Sequence, residues 1–221
     1  GQRRGRILMH SVDISFTVTG NTIPADHGFA LYGALSGIIP AIHSDEQIGI
    51  HPINGMPAGN RRIALTPASR LTVRLPAERI KDILVLSGKQ LRVDEAVIRI
   101  GTPTTRALIP AARLYSRLVV IKGFTEPMPF LNAVQRQLDT LGVKGKPALV
   151  EQSHIAEANK GSAKGTHSPF LRRTIKIHNR DIVGFALKIE ELTAEESITI
   201  QEKGIGGRRR FGCGVFIAVN R

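Results

Sequence analysis

Gly204-Ile-Gly-Gly-Arg-Arg-Arg-Phe-Gly-Cys-Gly214 runs directly into the apolar segment Val215-Phe-Ile-Ala-Val219. Five of its eleven residues are glycine and three in a row are arginine. Glycine reaches backbone angles closed to other residues and lets a second backbone come near. Successive N–H groups in such a loop form a concave nest for phosphate oxygens, and the planar guanidinium fork matches the same ligand. Glycines alone describe a turn. With three arginines inside it, the loop is expected to bind phosphate, with Gly204, Gly206, Gly207, Gly212 and Gly214 shaping it and Arg208, Arg209 and Arg210 making the contacts.

Working back from this loop, Thr193-Ala-Glu-Glu196 is a capping box that opens a short helix ending at Gly204. Ahead of it, 172–177 and 182–190 predict a hairpin across His178-Asn-Arg-Asp181, and 145–150 a strand. Residues 151–169 are polar and rich in Gly, Lys and Ser, which predicts a mobile loop. Phe130, Val134, Leu138 and Leu141 form the apolar stripe of a helix over 129–141, stopped by Gly142; 113–122 and 215–219 are strands. The first half carries the same order. Residues 7–19 alternate as a strand, and Leu31, Leu35, Ile38 and Ile42 recur at helical spacing over 27–43, with Asp26 as the expected cap and, at Pro40, a kink or a break into two short helices sharing a direction. Strands follow at 47–53, 61–65, 70–75 and 91–100, with a short helix at 76–84. The pattern is β-α-β-β-α-β twice over. It predicts an α+β chain of two tandem ferredoxin-like (RRM-like) domains, 1–103 and 113–221, joined by a linker at 104–112.

Composition narrows the function. The chain has 221 residues, a net charge of +13 and a pI near 10.7, so it needs a polyanionic partner. No apolar run reaches the roughly 18–20 residues of a membrane span. The basic start Gly1-Gln-Arg-Arg-Gly-Arg6 leads into a β-like stretch without a cleavage site, and is not read as a signal peptide. Cys213 is the only cysteine, which excludes an internal disulfide and a cysteine zinc site. A cytoplasmic, soluble protein bound to nucleic acid is expected. An open basic sheet is a common platform for single-stranded RNA. Aromatic content of 5% without tryptophan argues for backbone and shape recognition over extensive stacking.

Asp26-His-Gly-Phe-Ala-Leu-Tyr-Gly-Ala-Leu35, Ser69-Arg-Leu-Thr-Val-Arg-Leu75, Leu114-Tyr-Ser-Arg-Leu-Val-Val120 and residues 201–216 span nearly the whole chain. In that order they resemble the RAMP superfamily. More narrowly, they resemble the CRISPR-associated endoribonuclease that processes precursor CRISPR RNA, in the variant of myxobacterial type I systems. The resemblance implies metal-independent cleavage within each repeat by attack of the RNA's own 2′-hydroxyl, leaving a 2′,3′-cyclic phosphate and a 5′-hydroxyl. It also implies a histidine in acid–base roles, helped by a tyrosine or serine and sometimes a lysine. The repeat hairpin would be the partner, and the product would stay bound as the enzyme joins an effector complex. The alternative is a non-catalytic RAMP subunit that holds guide RNA.

In-line attack needs a group that takes the 2′-hydroxyl proton, one that protonates the leaving 5′-oxygen, and donors for the phosphorane charge. Histidine suits the proton transfers, its unperturbed pKa lying at about 6.5. Of seven histidines, His10 opens the first strand, His154 and His167 fall in the polar loop, and His178 sits in the hairpin turn. At about 100° per residue, Tyr32, Ser36 and His43 lie within roughly 40° of one another, away from the apolar stripe. They are expected to form one exposed stripe; the resemblance, which implies a histidine at the close of this helix and a hydroxyl at the position of Ser36, makes His43 catalytic and Ser36 its helper, with Tyr32 the alternative. His27, at the helix start beside Asp26, is a second catalytic candidate, the alternative being a structural residue that ties the helix to the sheet. His51 ranks third. No lysine near His43 matches the assisting lysine, so Arg70 or Arg74 would supply charge stabilisation. Arg172, Arg173, Lys176 and Arg180 are expected to grip the base of the RNA hairpin.

Overall fold

Strand β1 (Ser11–Thr19) alternates as its sequence requires, with Ile14, Phe16 and Val18 buried and Asp13, Ser15 and Thr17 less so. A computed structural model describes residues 10–152 and 169–219. The chain divides into two units, Gly1–Leu108 and Ile109–Arg221.

In the first unit β1 is central. It pairs antiparallel with β6 (Arg70–Pro76) on one side and β8 (Ala96–Ala107) on the other. With β3 (Gly49–Ile50) and β7 (Gln90–Val93) at the edges, the order is β3-β6-β1-β8-β7. A second small sheet joins β2 (Thr22–Pro24), β5 (Arg62–Ala64) and β4 (Met56–Pro57). The single strand expected at 91–100 is instead split by a hairpin turn: Asp94 takes a left-handed φ of 54° and turns β7 into β8. β8 then runs on to Ala107, which pairs with Val12, so the expected linker at 104–112 begins inside a strand. The helix expected at 76–84 is a 3-10 turn, the single-turn helix α2 (Ile80–Ile83) and a further 3-10 turn.

Helix α1 (Gly28–Ile38) buries Leu31 and Leu35 against the sheet, while Ile38 is half-buried. It stops where Pro40 forces a stop. The residue before a proline is pushed out of the helical region, and Ile39 adopts φ −123° and ψ 84°. The chain resumes as a 3-10 turn, Pro40–His43, which keeps Ile42 fully buried and leaves His43 exposed. The N-cap is His27 and not Asp26, and no side chain caps the helix there.

In the second unit β9 (Leu114–Val119), α3 (Pro127–Leu141), β10 (Lys146–Leu149), β11 (Arg172–Ile177), β12 (Arg180–Glu190), α4 (Ala194–Lys203) and β13 (Ile217–Ala218) follow in turn. The sheet order is β10-β12-β9-β13, with β11 also on β12. β10 and β11 share one edge of β12, for Leu149 faces Leu187 and Arg172 faces Phe185. Between them the Ala186 N–H donates to the Leu171 carbonyl and its own carbonyl accepts from Val150. They run in the same direction along that edge, and the loop expected over 151–169 falls between them. Its residues 153–168, including His154 and His167, lie outside the described residues. His178 (φ 47°) and Asn179 (φ 60°) make a two-residue turn between β11 and β12, shorter than the four residues expected.

The two helices obey their end signals. Gly142 closes α3 in the left-handed region at φ 71°. The capping box of α4 is complete, with Thr193 Oγ1 accepting from the Glu196 N–H and Glu196 accepting from the Thr193 N–H. Backbone N–H groups of Lys144 and Thr193 hold the Glu196 carboxyl below the usual carboxylate range. Phe130, Val134 and Leu138 of α3 pack with Phe185, Leu187 and Ile189 of β12, the rings of Phe130 and Phe185 standing 4.8 Å apart. Among the described residues no helix is long and apolar enough to cross a membrane.

Candidate active site

The 3-10 turn that Pro40 imposes brings His43 back over α1. Its Nδ1 lies 2.6 Å from the Tyr32 hydroxyl, and the rings meet edge to face at 5.4 Å and 83°. The bond is a short one between two groups that can each give or take a proton. With the proton on Nδ1, His43 donates to the phenol oxygen and presents a lone pair on Nε2. With Nδ1 bare, the tyrosine donates and Nε2 carries the proton. Tyr32 thus fixes the orientation of the imidazole and accommodates either tautomer, the direction of the bond reversing between them.

Ser36 does not join them. It is 6% exposed and donates its hydroxyl to the carbonyls of Tyr32 at 2.7 Å and Gly33 at 3.2 Å. A buried hydroxyl on a helix satisfies itself on the preceding turn, and this one turns away from the expected exposed stripe. His27 is likewise absorbed by the fold. It is 2% exposed, Nδ1 is 2.8 Å from the Pro24 carbonyl, and Nε2 accepts from the Ile53 N–H at 2.9 Å. Both ring nitrogens hold backbone together, so the expectation of a catalytic His27 is corrected to a structural one.

The expected charge stabilisers are also engaged. Arg74 is 2% exposed and makes a bidentate pair with Asp13 opposite it on β1, both bonds 2.8 Å. His51 Nε2 lies 3.6 Å from the same carboxylate. Burial raises the Asp13 pKa, but the Arg74 guanidinium and the His51 imidazole outweigh it and hold the carboxyl well below its usual range. Arg70 donates to the carbonyls of Pro67 and Ser69.

One pair near His43 has no counterpart in the sequence reading. Asp45, two residues on, accepts from the Gln47 N–H at 2.9 Å and pairs with Arg79, which also binds Asp82 at 2.6 Å. Arg79 is thereby a strut between the His43 turn and the start of α2. Its only sequence signal is Asp82 three residues on; the partner that matters is 34 residues away.

The glycine–arginine loop has a different character from the one expected. Gly206 N–H donates to Gln137 Oε1 at 2.7 Å, Gly207 N–H to the Val120 carbonyl at 3.0 Å, and Gly214 N–H to the Leu118 carbonyl at 2.8 Å. Those of Gly212 and Cys213 go to the Arg209 and Arg208 carbonyls. These donors are consumed internally, so the loop is a knot sewn to the end of β9 and not an open phosphate nest. Its glycines serve close approach. A Cβ on Gly206 would stand 2.3 Å from the Val120 carbonyl oxygen, and one on Gly214 2.3 Å from that of Ile205. Arg209 is 7% exposed and donates to the Gln201 carbonyl in the last turn of α4. Arg210 is half-buried, and Arg208, in the left-handed region at φ 64°, is the fully exposed one.

The basic residues of β11 and β12 do not form one patch. Registers Ile177↔Arg180 and Arg173↔Gly184 put Arg173 and Arg180 on one face, and alternation puts Arg172 and Lys176 on the other. Arg172 donates to the Thr125 carbonyl, lies 3.4 Å from Glu126 and covers the Phe185 ring. Arg173 is half-buried with no partner for Nε among the described residues, while Lys176 and Arg180 are exposed.

Comparison with known proteins agrees with this architecture. Two solved structures match nearly end to end. A CRISPR-associated Cas6 protein aligns over 96% of this chain and 100% of its own, with a TM-score of 0.66 at 10% identity. A Cas6-related protein of Pyrococcus furiosus covers 95% and 98%, with a TM-score of 0.65 at 12% identity. These define the class, a mixed α/β fold shared with Cas6 structures. The profile of the family described as Cas6 Crispr matches residues 12–221. A CRISPR-associated endonuclease Cas6 of Myxococcus xanthus (strain DK1622) is 32% identical over 214 residues, 97% of this chain and 84% of the relative. The chain belongs to the Cas6 family.

Proposed function

We propose that this protein is an endoribonuclease that cleaves CRISPR repeat RNA without a metal ion, through the exposed Tyr32–His43 pair. Family membership supports the substrate class, and the 2.6 Å bond between two proton-exchanging side chains supports the site. We read each unit as a ferredoxin-like domain, the first (1–103) carrying the catalytic helix and the second (113–221) holding RNA. The 2′-hydroxyl of the nucleotide before the cut attacks the adjacent phosphorus in line. The P–O2′ bond forms, the P–O5′ bond breaks, and the products are a 2′,3′-cyclic phosphate and a 5′-hydroxyl. One proton leaves the 2′-oxygen and one arrives at the 5′-oxygen, so no water is consumed. His43 exchanges its proton through Nε2, with Nδ1 held on Tyr32; Arg79 keeps the turn in place through Asp45. Ser36 and His27 contribute by holding α1. Arg208 and Arg210 in the knot, and Lys176, Arg173 and Arg180, contact phosphates. The product stays bound and joins further effector subunits.

The test is cleavage of the repeat RNA in EDTA. His43→Ala is expected to lower the rate by about 10²–10⁴-fold while repeat binding persists, and a 2′-deoxy substitution at the cut site blocks the reaction. Unchanged cleavage by the variant removes His43 from the site. Binding without any cyclic-phosphate product from the natural protein establishes the alternative, a RAMP-type subunit that only holds RNA.

A further inference from the structure

One face of the second unit's sheet packs on its core; on the other, Ala186, Ile175 and Ile177 are buried towards β11, while the end around Tyr115 stays partly exposed. Leu114 of β9, Leu187 and Ile189 of β12 and Leu149 of β10 point into the core. The alternate positions face away. Registers Lys188↔Tyr115 and Ile217↔Tyr115 set Lys188, Tyr115 and Ile217 side by side across three strands. The next row holds Glu190, Arg113 and Val219, with the Val219 N–H bonded to the Arg113 carbonyl. These six residues line a groove of about 470 Å³, inside the range of roughly 300–1,000 Å³ typical of ligand sites.

Tyr115 is one of only two tyrosines in the chain. Tyr32 is spoken for by His43. The Tyr115 side chain makes no hydrogen bond to a described residue, nor does the exposed guanidinium of Arg113. Lys188 lies 3.7 Å from Glu190, a loose pair that leaves the groove net positive through Arg113. Ile217 is 46% and Val219 40% exposed beside the ring. An aromatic ring, flanking apolar side chains and an uncommitted guanidinium make up a base-and-phosphate site.

We propose that this exposed end of the face is a platform for single-stranded RNA, with one base stacked on Tyr115 and a neighbouring phosphate on Arg113. Ile217 and Val219, beside the ring on the same face, extend the apolar surface under the base. Lys188, aligned with the ring, supplies a second cation, and Glu190 screens it against longer-range attraction. This rests on the reading of the chain as an RNA-processing protein, but it concerns a surface outside the Tyr32–His43 pair.

The experiment titrates the full chain against a fluorescein-labelled octamer of adenosine ribonucleotides and a blunt RNA duplex, read by anisotropy. Tyr115→Ala is expected to weaken octamer binding by about tenfold, and Tyr115→Phe to keep it within about twofold, because stacking needs the ring and not the hydroxyl. Arg113→Ala lowers the slope of log affinity against log salt by about 1. Thermal midpoints matching the natural chain show that the variants are folded. Octamer affinity unchanged in Tyr115→Ala overturns the platform. So does an equal loss for octamer and duplex, or a loss of self-association in place of RNA binding. Repeat cleavage is scored on the same natural preparation. A protein that holds the octamer through Tyr115 yet cuts no repeat loses the enzyme reading and keeps the platform; one that cuts and is indifferent to Tyr115 does the reverse.

Discussion

The end of α1 and the glycine–arginine loop are the two regions whose sequences most resemble chemistry, and they use their polar groups in opposite ways. At the end of α1, a proline break lifts His43 out of the helix and leaves it exposed against Tyr32. In the loop, the glycine N–H groups and Arg209 turn inward and bind β9, α3 and α4. A run of glycines and arginines therefore does not by itself describe a ligand cradle. The same freedom that lets a backbone wrap a phosphate lets it press against another carbonyl.

The largest expected effect comes from the buried Asp13–Arg74 pair of the first unit. Arg74→Ala leaves Asp13 buried without its cation and is expected to cost about 3–5 kcal/mol, read from the urea midpoint. Because the Asp13 carboxyl is depressed in the folded chain, its contribution is fully present above the unfolded carboxyl value of about 3.9. It is lost as pH falls further, toward the folded value, so the natural chain's stability declines below about pH 4 and that of Arg74→Ala declines less. A parallel acid decline in both proteins would detach Asp13 from the effect.

A smaller effect separates knot from cradle. Gly214→Ala meets the Ile205 carbonyl at a left-handed φ of 66° and is expected to cost about 3 kcal/mol. A Cβ added at Gly207 would meet nothing within 4 Å, so Gly207→Ala changes stability by about 1 kcal/mol at most. Equal costs at the two positions would break the comparison. Smallest is the split within the arginine run. Arg209→Ala loses a charged hydrogen bond to Gln201 and about 2 kcal/mol of stability. Arg208→Ala changes stability by no more than about 0.5 kcal/mol but lowers the salt slope of RNA binding by about 1. Reversal of those two outcomes would move the phosphate contact from Arg208 to Arg209.

Much of the secondary structure was legible locally. The box Thr193–Glu196, the stop at Gly142 and the alternation of Ile14, Phe16 and Val18 are short-range signals, and each forms where it reads. The proximity of Tyr32 and His43 was expected from helical pitch, but the chain reaches it by another route: the helix breaks at Ile39, and the 3-10 turn after Pro40 returns His43 to the side of Tyr32. Ser36 lies elsewhere than expected because an offset of about 40° on a helix is enough to cross from solvent to core, and the angular argument cannot see how deep the helix sits. The pairing of Asp45 with Arg79 was not legible because nothing in either neighbourhood points to the other.

The main strands, the end of α3, the capping box of α4 and the basic charge followed from the amino-acid sequence, because periodicity, capping and net charge act over a few residues or over none. Whether a polar group faces solvent or another backbone was decided only in the folded chain. Gly206 met Val120, Arg74 met Asp13 and His27 met Ile53 across separations no local rule spans. The physical reason is that a buried donor or charge must find its partner wherever the topology brings one, and that partner sets what the residue is left to do.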